Sequence, residues 1–187
     1  MKYFKKLVGE RIYLSPMSIE DAETYVKWLS DFRTTDGVGH SKQLVNTDSE
    51  KEWIEDVLKE GKYNFAIVSL EDDKLLGSCG IDNVNSSDRH ATLGIFIGEE
   101  ENRSKGYGAE ALKLLLDYGF NYLNMHNIML QVKSFNERAL ACYKKVGFKE
   151  IGRRRESYFL NGKYYDDISM DILESEFIGD YIKNKNV

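Results

Sequence analysis

The chain has 187 residues and a formal charge of −5, from 26 Lys and Arg against 31 Asp and Glu. That length suits one globular unit over 1–187, with a core about 9–175 and a tail 176–187. Hydrophobic residues at 42% and charged residues at 30% are enough for a full core and exclude disorder as the main theme.

No run approaches about 18 uninterrupted apolar residues, and the opening Met1-Lys2-Tyr3-Phe4-Lys5-Lys6-Leu7 lacks the apolar centre of a signal peptide. A cytoplasmic protein without membrane contact is expected. Cys79 and Cys142 stand apart without a CxxC, and His40, His90 and His126 are scattered singly, so neither a disulfide framework nor a metal site is expected. The acidic balance argues against nucleic acid as a partner, because little would neutralise a run of phosphates.

In chain order, Arg11 to Ser15 alternates like a strand, and Ser18-Ile-Glu-Asp21 opens a helix over Ala22, Tyr25, Val26 and Leu29. Thr47-Asp-Ser-Glu50 repeats that opening before Trp53, Ile54, Val57 and Leu58, with a stop near Gly61. Asn64 to Leu70, Lys74 to Ile81 and Ala91 to Ile97 read as three antiparallel strands. A helix opening near Ala109 follows, carrying Ala111, Leu112, Leu115, Leu116, Gly119, Tyr122 and Leu123, and then the buried strand Ile128 to Val132. Strand, helix, strand makes a right-handed crossover, so Ala91 to Ile97 and Ile128 to Val132 are predicted to be parallel. Asn136 caps a helix to Val146 that Gly147 ends, and Phe148 to Phe159 and Lys163 to Ile172 form a hairpin around Asn161-Gly162. The fold class is α/β (α+β): one domain with a mixed, mostly antiparallel sheet of about seven strands and about four flanking helices.

The chemistry concentrates in Gly98-Glu-Glu-Glu-Asn-Arg103-Ser-Lys-Gly106-Tyr-Gly108-Ala-Glu-Ala111. Two glycines and Ala109 allow close approach to the backbone, and the first amides of the helix lack internal partners. The helix dipole adds about half a positive charge there, and Arg103 and Lys105 add full ones, so a pyrophosphate suits the turn. A Walker A loop fails, because Lys105 precedes Gly106 and no Ser or Thr follows it. A Rossmann fingerprint, and with it a NAD-dependent oxidoreductase, fits poorly: the glycines do not follow the strand directly, and Ile128 to Lys133 contains no acid. A plain glycine turn before a core helix is the structural alternative.

About 33 residues after Arg103, a spacing that fits one helix and one strand, stands Asn136-Glu-Arg-Ala139-Leu-Ala-Cys-Tyr143-Lys-Lys-Val-Gly147-Phe148. Together the two segments resemble the GNAT superfamily of N-acetyltransferases, whose phosphate loop reads Gln/Arg-x-x-Gly-x-Gly/Ala and whose later helix reads Asn-x-x-Ala-x-x-x-Tyr-x-x-x-Gly-Phe. Gly9 to Pro16, Glu20-Asp21-Ala22, Trp28 and Tyr158 to Asp166 are similar to the ribosomal-protein and polyamine (RimJ/RimL-like) branch of that superfamily. The resemblance implies acetyl-CoA as cosubstrate and a primary amine as acceptor, either a small molecule such as a polyamine or a protein N-terminus.

On the same resemblance, the backbone of Arg103, Ser104, Lys105, Gly106, Tyr107, Gly108 and Ala109 holds the CoA pyrophosphate. Phe96, Ile97 and Gly98 line the pantetheine where two parallel strands splay, and Asn136 reaches the pantetheine while capping its helix. Tyr143, otherwise one residue of an apolar stripe with Ala139, Leu140 and Val146, is the catalytic acid. Thr92 stands where many relatives carry a glutamate, so no base is assigned, and a non-catalytic acyl-CoA sensor is the alternative reading. Trp28, Phe32, Thr92 and Tyr158 are candidate acceptor residues, with Tyr25 and His40 beside them. The aromatic hairpin Tyr158 to Tyr165 offers a surface for a homodimer.

Overall fold

Strand β1 (Leu7–Val8) pairs antiparallel with β2 (Ile12–Pro16), where alternate residues face opposite sides of the sheet: Ile12 and Leu14 one way, Tyr13 the other. The Ser18 side chain accepts from the Glu20 amide and opens a short 3₁₀ turn that runs into α1 (Ala22–Leu29). Next comes α2 (Phe32–Val38), capped by Asp31, whose carboxylate accepts from the Arg33 amide at 2.9 Å. Helix α3 (Thr47–Lys59) is capped by Asn46 in a reciprocal box with Ser49, so the cap falls one residue before the expected Thr47.

Strands β3 (Tyr63–Ser69), β4 (Leu75–Asn85) and β5 (His90–Ile97) are antiparallel neighbours, as the period-two pattern predicted. Then follow α4 (Tyr107–Asn121), β6 (Asn127–Lys133), α5 (Glu137–Val146), β7 (Lys149–Leu160) and β8 (Lys163–Leu173). Asn161 (φ 49°) and Gly162 (φ 78°) make the tight turn of the last hairpin. The sheet order is β1-β2-β3-β4-β5-β6-β8-β7, and its one parallel contact is β5 with β6. The computed structural model describes residues 2–39 and 41–185, so His40 lies outside the described residues. Within them the expected strands gain β1 and the expected helices gain α2.

The sheet separates two apolar clusters. On one face α4 buries Leu112, Leu115, Leu116 and Phe120 against Leu14, Ile67, Ile81, Ala91 and Ile128. On the other, Tyr25 and Trp28 of α1 and Ile54 and Val57 of α3 pack on Tyr13, Ala66 and Val68. Residues 177–185 are strapped across the first face: the Lys183 amide donates to the Val8 carbonyl, and Asn184 Oδ1 accepts from the Val8 amide. Wholly buried Asp117 of α4 accepts from the amides of Tyr181 and Ile182 and from Lys185 Nζ. Among the described residues no helix is long and apolar enough to cross a membrane.

Candidate active site

Strands β5 and β6 stay in register at only three pairs, His90 with Asn127, Ala91 with Ile128 and Thr92 with Met129. Beyond Thr92 they part, so the β6-facing edge of β5 has no strand partner there. Antiparallel pairing to β4 nevertheless continues to Ile97, which holds that edge straight. A cleft of about 680 Å³ opens at the divergence, walled by Ile95, Phe96 and Ile97, by the loop before α4, by α5 and by α2.

The loop is built to receive an anion. Ser104 (φ 59°) and Gly106 (φ 91°) are both left-handed, which turns successive main-chain N–H groups toward one side. The amides of Tyr107, Gly108 and Ala109 have no protein acceptor, as the first turn of an uncapped helix requires. Arg11 braces the loop from behind. Its guanidinium donates to the Lys105 carbonyl at 2.9 Å and lies 5.0 Å from the centre of the Tyr107 ring. Glu110 in turn accepts from the amides of Glu10, Arg11 and Ile12, tying the first turn of α4 to β2.

Across the cleft stands α5. Asn136 caps it by accepting from the Ala139 amide at 3.2 Å, and Ala139, Cys142 and Tyr143 line the cavity. Tyr143 packs edge-on against Phe148 at 6.0 Å, and its hydroxyl has no partner among the described residues. Burial, with a small contribution from Cys142, pushes the phenol up to about 12, so it is protonated at any physiological pH. Arg138 and Lys145 add positive charge to the same wall.

Helix α2 roofs the opening, and two motif residues hold it there. The Arg103 guanidinium donates to the carbonyls of Ile97 (3.1 Å), Gly98 (2.7 Å) and Arg33 (3.1 Å) and to Thr34 Oγ1 (2.6 Å). Asn136 Nδ2 donates to the Gly37 carbonyl at 3.0 Å. Most of the Arg103 fork, expected to face phosphate, is thus spent joining α2 to the end of β5. Two polar atoms in the cleft wall are shielded from water and have no partner among the described residues: Asn102 Nδ2, on a residue 8% exposed, and Asp36 Oδ1. Neither residue had been singled out from the sequence; both lie outside the motif positions and apolar periodicities that guided it.

Of the expected site residues, Phe96, Ile97, Arg103, Ser104, Gly106, Gly108, Ala109, Asn136, Tyr143 and Phe32 line the cleft. Others do not. Lys105 and Tyr107 serve the loop through Arg11, and Gly98 is packed beneath the Trp28 indole, which a Cβ there would meet at 2.1 Å. Trp28 is a core residue, edge-on to Tyr25 and Phe96, with its Nε1 donating to Glu99 at 2.9 Å. Tyr25 is likewise in the core. Tyr158 is buried beside Phe135, with its hydroxyl 2.9 Å from Ser41 Oγ and Lys133 4.5 Å from its ring centre. Thr92 marks the last pair before the splay; its hydroxyl accepts from Asn83 Nδ2 and donates to the Asp82 carbonyl, and it is not a cleft residue.

A splayed parallel pair, a turn of unpartnered amides at a helix start and a tyrosine on the facing helix thus share one cleft. A family profile described as "Acetyltransferase (GNAT) domain" matches residues 11–149. The chain belongs to the GNAT acetyltransferases, and its cosubstrate is acetyl-CoA. It is 27% identical over 182 residues to the N-acetyltransferase p20 of Bacillus licheniformis, covering 92% of this chain and 98% of that one. To the spermidine N(1)-acetyltransferase of Escherichia coli K12 it is 33% identical over 110 residues, 59% of each chain. The crystal structure of spermidine N-acetyltransferase from Vibrio cholerae in complex with CoA and spermine superposes with a TM-score of 0.80 at 25% identity, covering 89% of this chain and 97% of that one.

Proposed function

We propose that the protein transfers the acetyl group of acetyl-CoA to a primary amine, a polyamine or a peptide N-terminus, with Tyr143 as the proton donor to the departing sulfur. The observation that carries this reading is one cleft lined both by the turn that bears the unpartnered amides and by the Tyr143 side chain. The residues fit the cosubstrate. The amides of Tyr107, Gly108 and Ala109 hold its diphosphate, Arg138 and Lys145 add counter-charge, and the free edge of β5 pairs with the pantetheine. Asn102 Nδ2, a buried donor without an acceptor, takes a carbonyl of the same arm, which removes an unsatisfied group from the wall.

When bound, acetyl-CoA supplies an acetyl group activated as a thioester. The chain's own contribution is to orient and to move protons. The β5 edge presents main-chain groups to the carbonyl on which charge develops, a class of interaction worth about 2.7–4 kcal/mol per donor. Tyr143 stays protonated because burial disfavours its phenolate, and so presents an O–H to the sulfur as negative charge grows there. The amine arrives beneath α2, whose Phe32 stands 67% exposed at the rim. Relatives that act on spermidine make polyamines the first acceptors to try. A reducing compartment such as the cytoplasm suits the two unpaired cysteines, Cys79 and Cys142.

The test is release of CoA thiol from acetyl-CoA against spermidine, free lysine and short peptides of varied first residue, with the acetylated product weighed by mass spectrometry. Thiol release matched by acetylation of one amine is expected. CoA binding without turnover on any member of the panel overturns the proposal.

A further inference from the structure

The cleft is sorted by charge. Cations face it from the loop and α5, whereas only two carboxylates line it among the described residues, Glu100 and Asp36. Glu100 lies 3.6 Å from the Arg33 guanidinium at the outer rim. Asp36 has neither an ion pair nor a side-chain hydrogen bond among the described residues, although its Oδ1 is closed off from water. Such an atom is costly: a buried carboxylate oxygen without a donor forfeits its hydration and gains nothing in exchange. The fold nevertheless holds it in place. Arg103 pins the first turn of α2 through Arg33 and Thr34, Asn136 pins its end through Gly37, and Asp36 lies between the two anchors over the parted strands. Neither Arg138 nor Lys145, both on the same cavity, pairs with it.

We infer that Asp36 is the receptor for an ammonium of the acceptor other than the amine that reacts, completing the carboxylate's hydrogen bonding only when substrate is present. This rests on the acetyl-transfer reading and adds to it the residue that selects a cationic acceptor. A neutral amide of the pantetheine is the competing occupant of Oδ1, and it differs in what a mutation does. An ammonium makes a charge-assisted bond worth about 1.5–3 kcal/mol, or about ten- to hundred-fold in affinity.

The experiment compares wild type with Asp36→Asn and Asp36→Glu, using spermidine and an alanine-initiated peptide that carries a lysine as separate sources of a second ammonium. In Asp36→Asn the KM of whichever amine is acetylated rises about ten- to hundred-fold, while kcat and the affinity for CoA hold. Asp36→Glu recovers most of the loss. The melting temperature of Asp36→Asn holds or rises, because a shielded carboxylate oxygen without a donor has been removed, whereas a structural role would lower it. Unchanged KM, or a loss matched by weaker CoA binding, overturns the assignment. Should wild type acetylate neither amine, the transfer reading fails by itself, and direct titration of the CoA-saturated protein with spermidine and with the peptide decides about Asp36. Binding weakened by Asp36→Asn supports it, and binding unaffected by the change, or absent from wild type, overturns it.

Discussion

Helix α4 buries Ala111, Leu112, Leu114, Leu115, Leu116, Asp117, Gly119 and Phe120, while α5, whose apolar residues recur just as regularly, buries none. The two helices flank the same cleft and carry the two segments by which the family is recognisable in the sequence. What differs is the surface each stripe meets. The α4 stripe lies on the sheet, and residues 177–185 close its outer side through Asp117. The α5 stripe packs only partly buried against the edge of that core, and its Ala139, Cys142 and Tyr143 also line the cleft between the parted strands. An amphipathic helix normally buries its apolar face in the core; one whose face lines a cleft holds that surface for a ligand. α4 is therefore fixed by the core along most of its length, whereas α5 presents part of its apolar face to the cleft.

That division is broken most sharply at Tyr143. Replacing it with Phe removes a hydroxyl that has no protein partner, so stability should change by less than about 1 kcal/mol in denaturant melts. Meanwhile kcat should fall about 10²- to 10⁴-fold, with CoA affinity retained. The phenol pushed up to about 12 also sets a pH signature: the acid form persists through alkaline pH, so wild-type kcat should show no decline assignable to Tyr143 below about pH 11. A large loss of stability in Tyr143→Phe would place the residue with the core instead.

Leu115→Ala tests the opposite helix. Leu115 is wholly buried, so truncation leaves a cavity and should cost about 2–5 kcal/mol of unfolding free energy, read from the urea midpoint. The folded fraction should keep its KM for acetyl-CoA. A smaller effect follows from ligand alone. CoA at about 100 times its dissociation constant should add about 2.7 kcal/mol of stability. Hydrogen exchange should then slow at Tyr107 to Ala109 and along α5, and change little in the middle of α4, which the core already protects. Equal protection of both helices would erase the distinction.

The contrast also explains what could be read from residues alone. Strands and long helices announced themselves because their apolar periods answer to one continuous core, and Asn136, Gly147 and Asn161-Gly162 mark boundaries by local chemistry. Helix α2 did not. Phe32-Arg-Thr-Thr-Asp-Gly-Val38 has two β-branched threonines, a glycine and no apolar period, and beyond its Asp31 cap the helix is held by Arg103 and Asn136 from elsewhere in the chain. Missing α2 left Asp36 unnoticed, and it hid that the Arg103 side chain is taken up by main-chain carbonyls and Thr34. Trp28 and Tyr158 illustrate the reverse error: aromatic residues near a site in the chain can be packed behind it, and only burial tells the two apart. The loop and the Tyr143 helix were legible because the family's motifs fix their spacing, which a sequence records directly.

The smallest expected effect lies where the chain itself closes α4. Burial raises the pKa of Asp117, but Lys185, Asn121 and the amides of Ile182 and Tyr181 outweigh it and hold the carboxyl below the ordinary range. A depressed folded value means that this contribution is complete above the unfolded pKa of about 3.9 and is lost as pH falls through the folded value. The thermal midpoint should therefore be flat in this respect from neutrality down to about pH 4 and decline below it. Lys185→Ala should weaken that acid decline and lower the midpoint at neutral pH, because it leaves the charge of Asp117 held by neutral donors only. Acetyl-CoA turnover by the folded enzyme should be unaffected, since the strap supports the far side of α4. If Lys185→Ala instead loosens CoA binding, closure of α4 by the tail and the anion site at its start are one coupled unit, and the support cannot be separated from the site it carries.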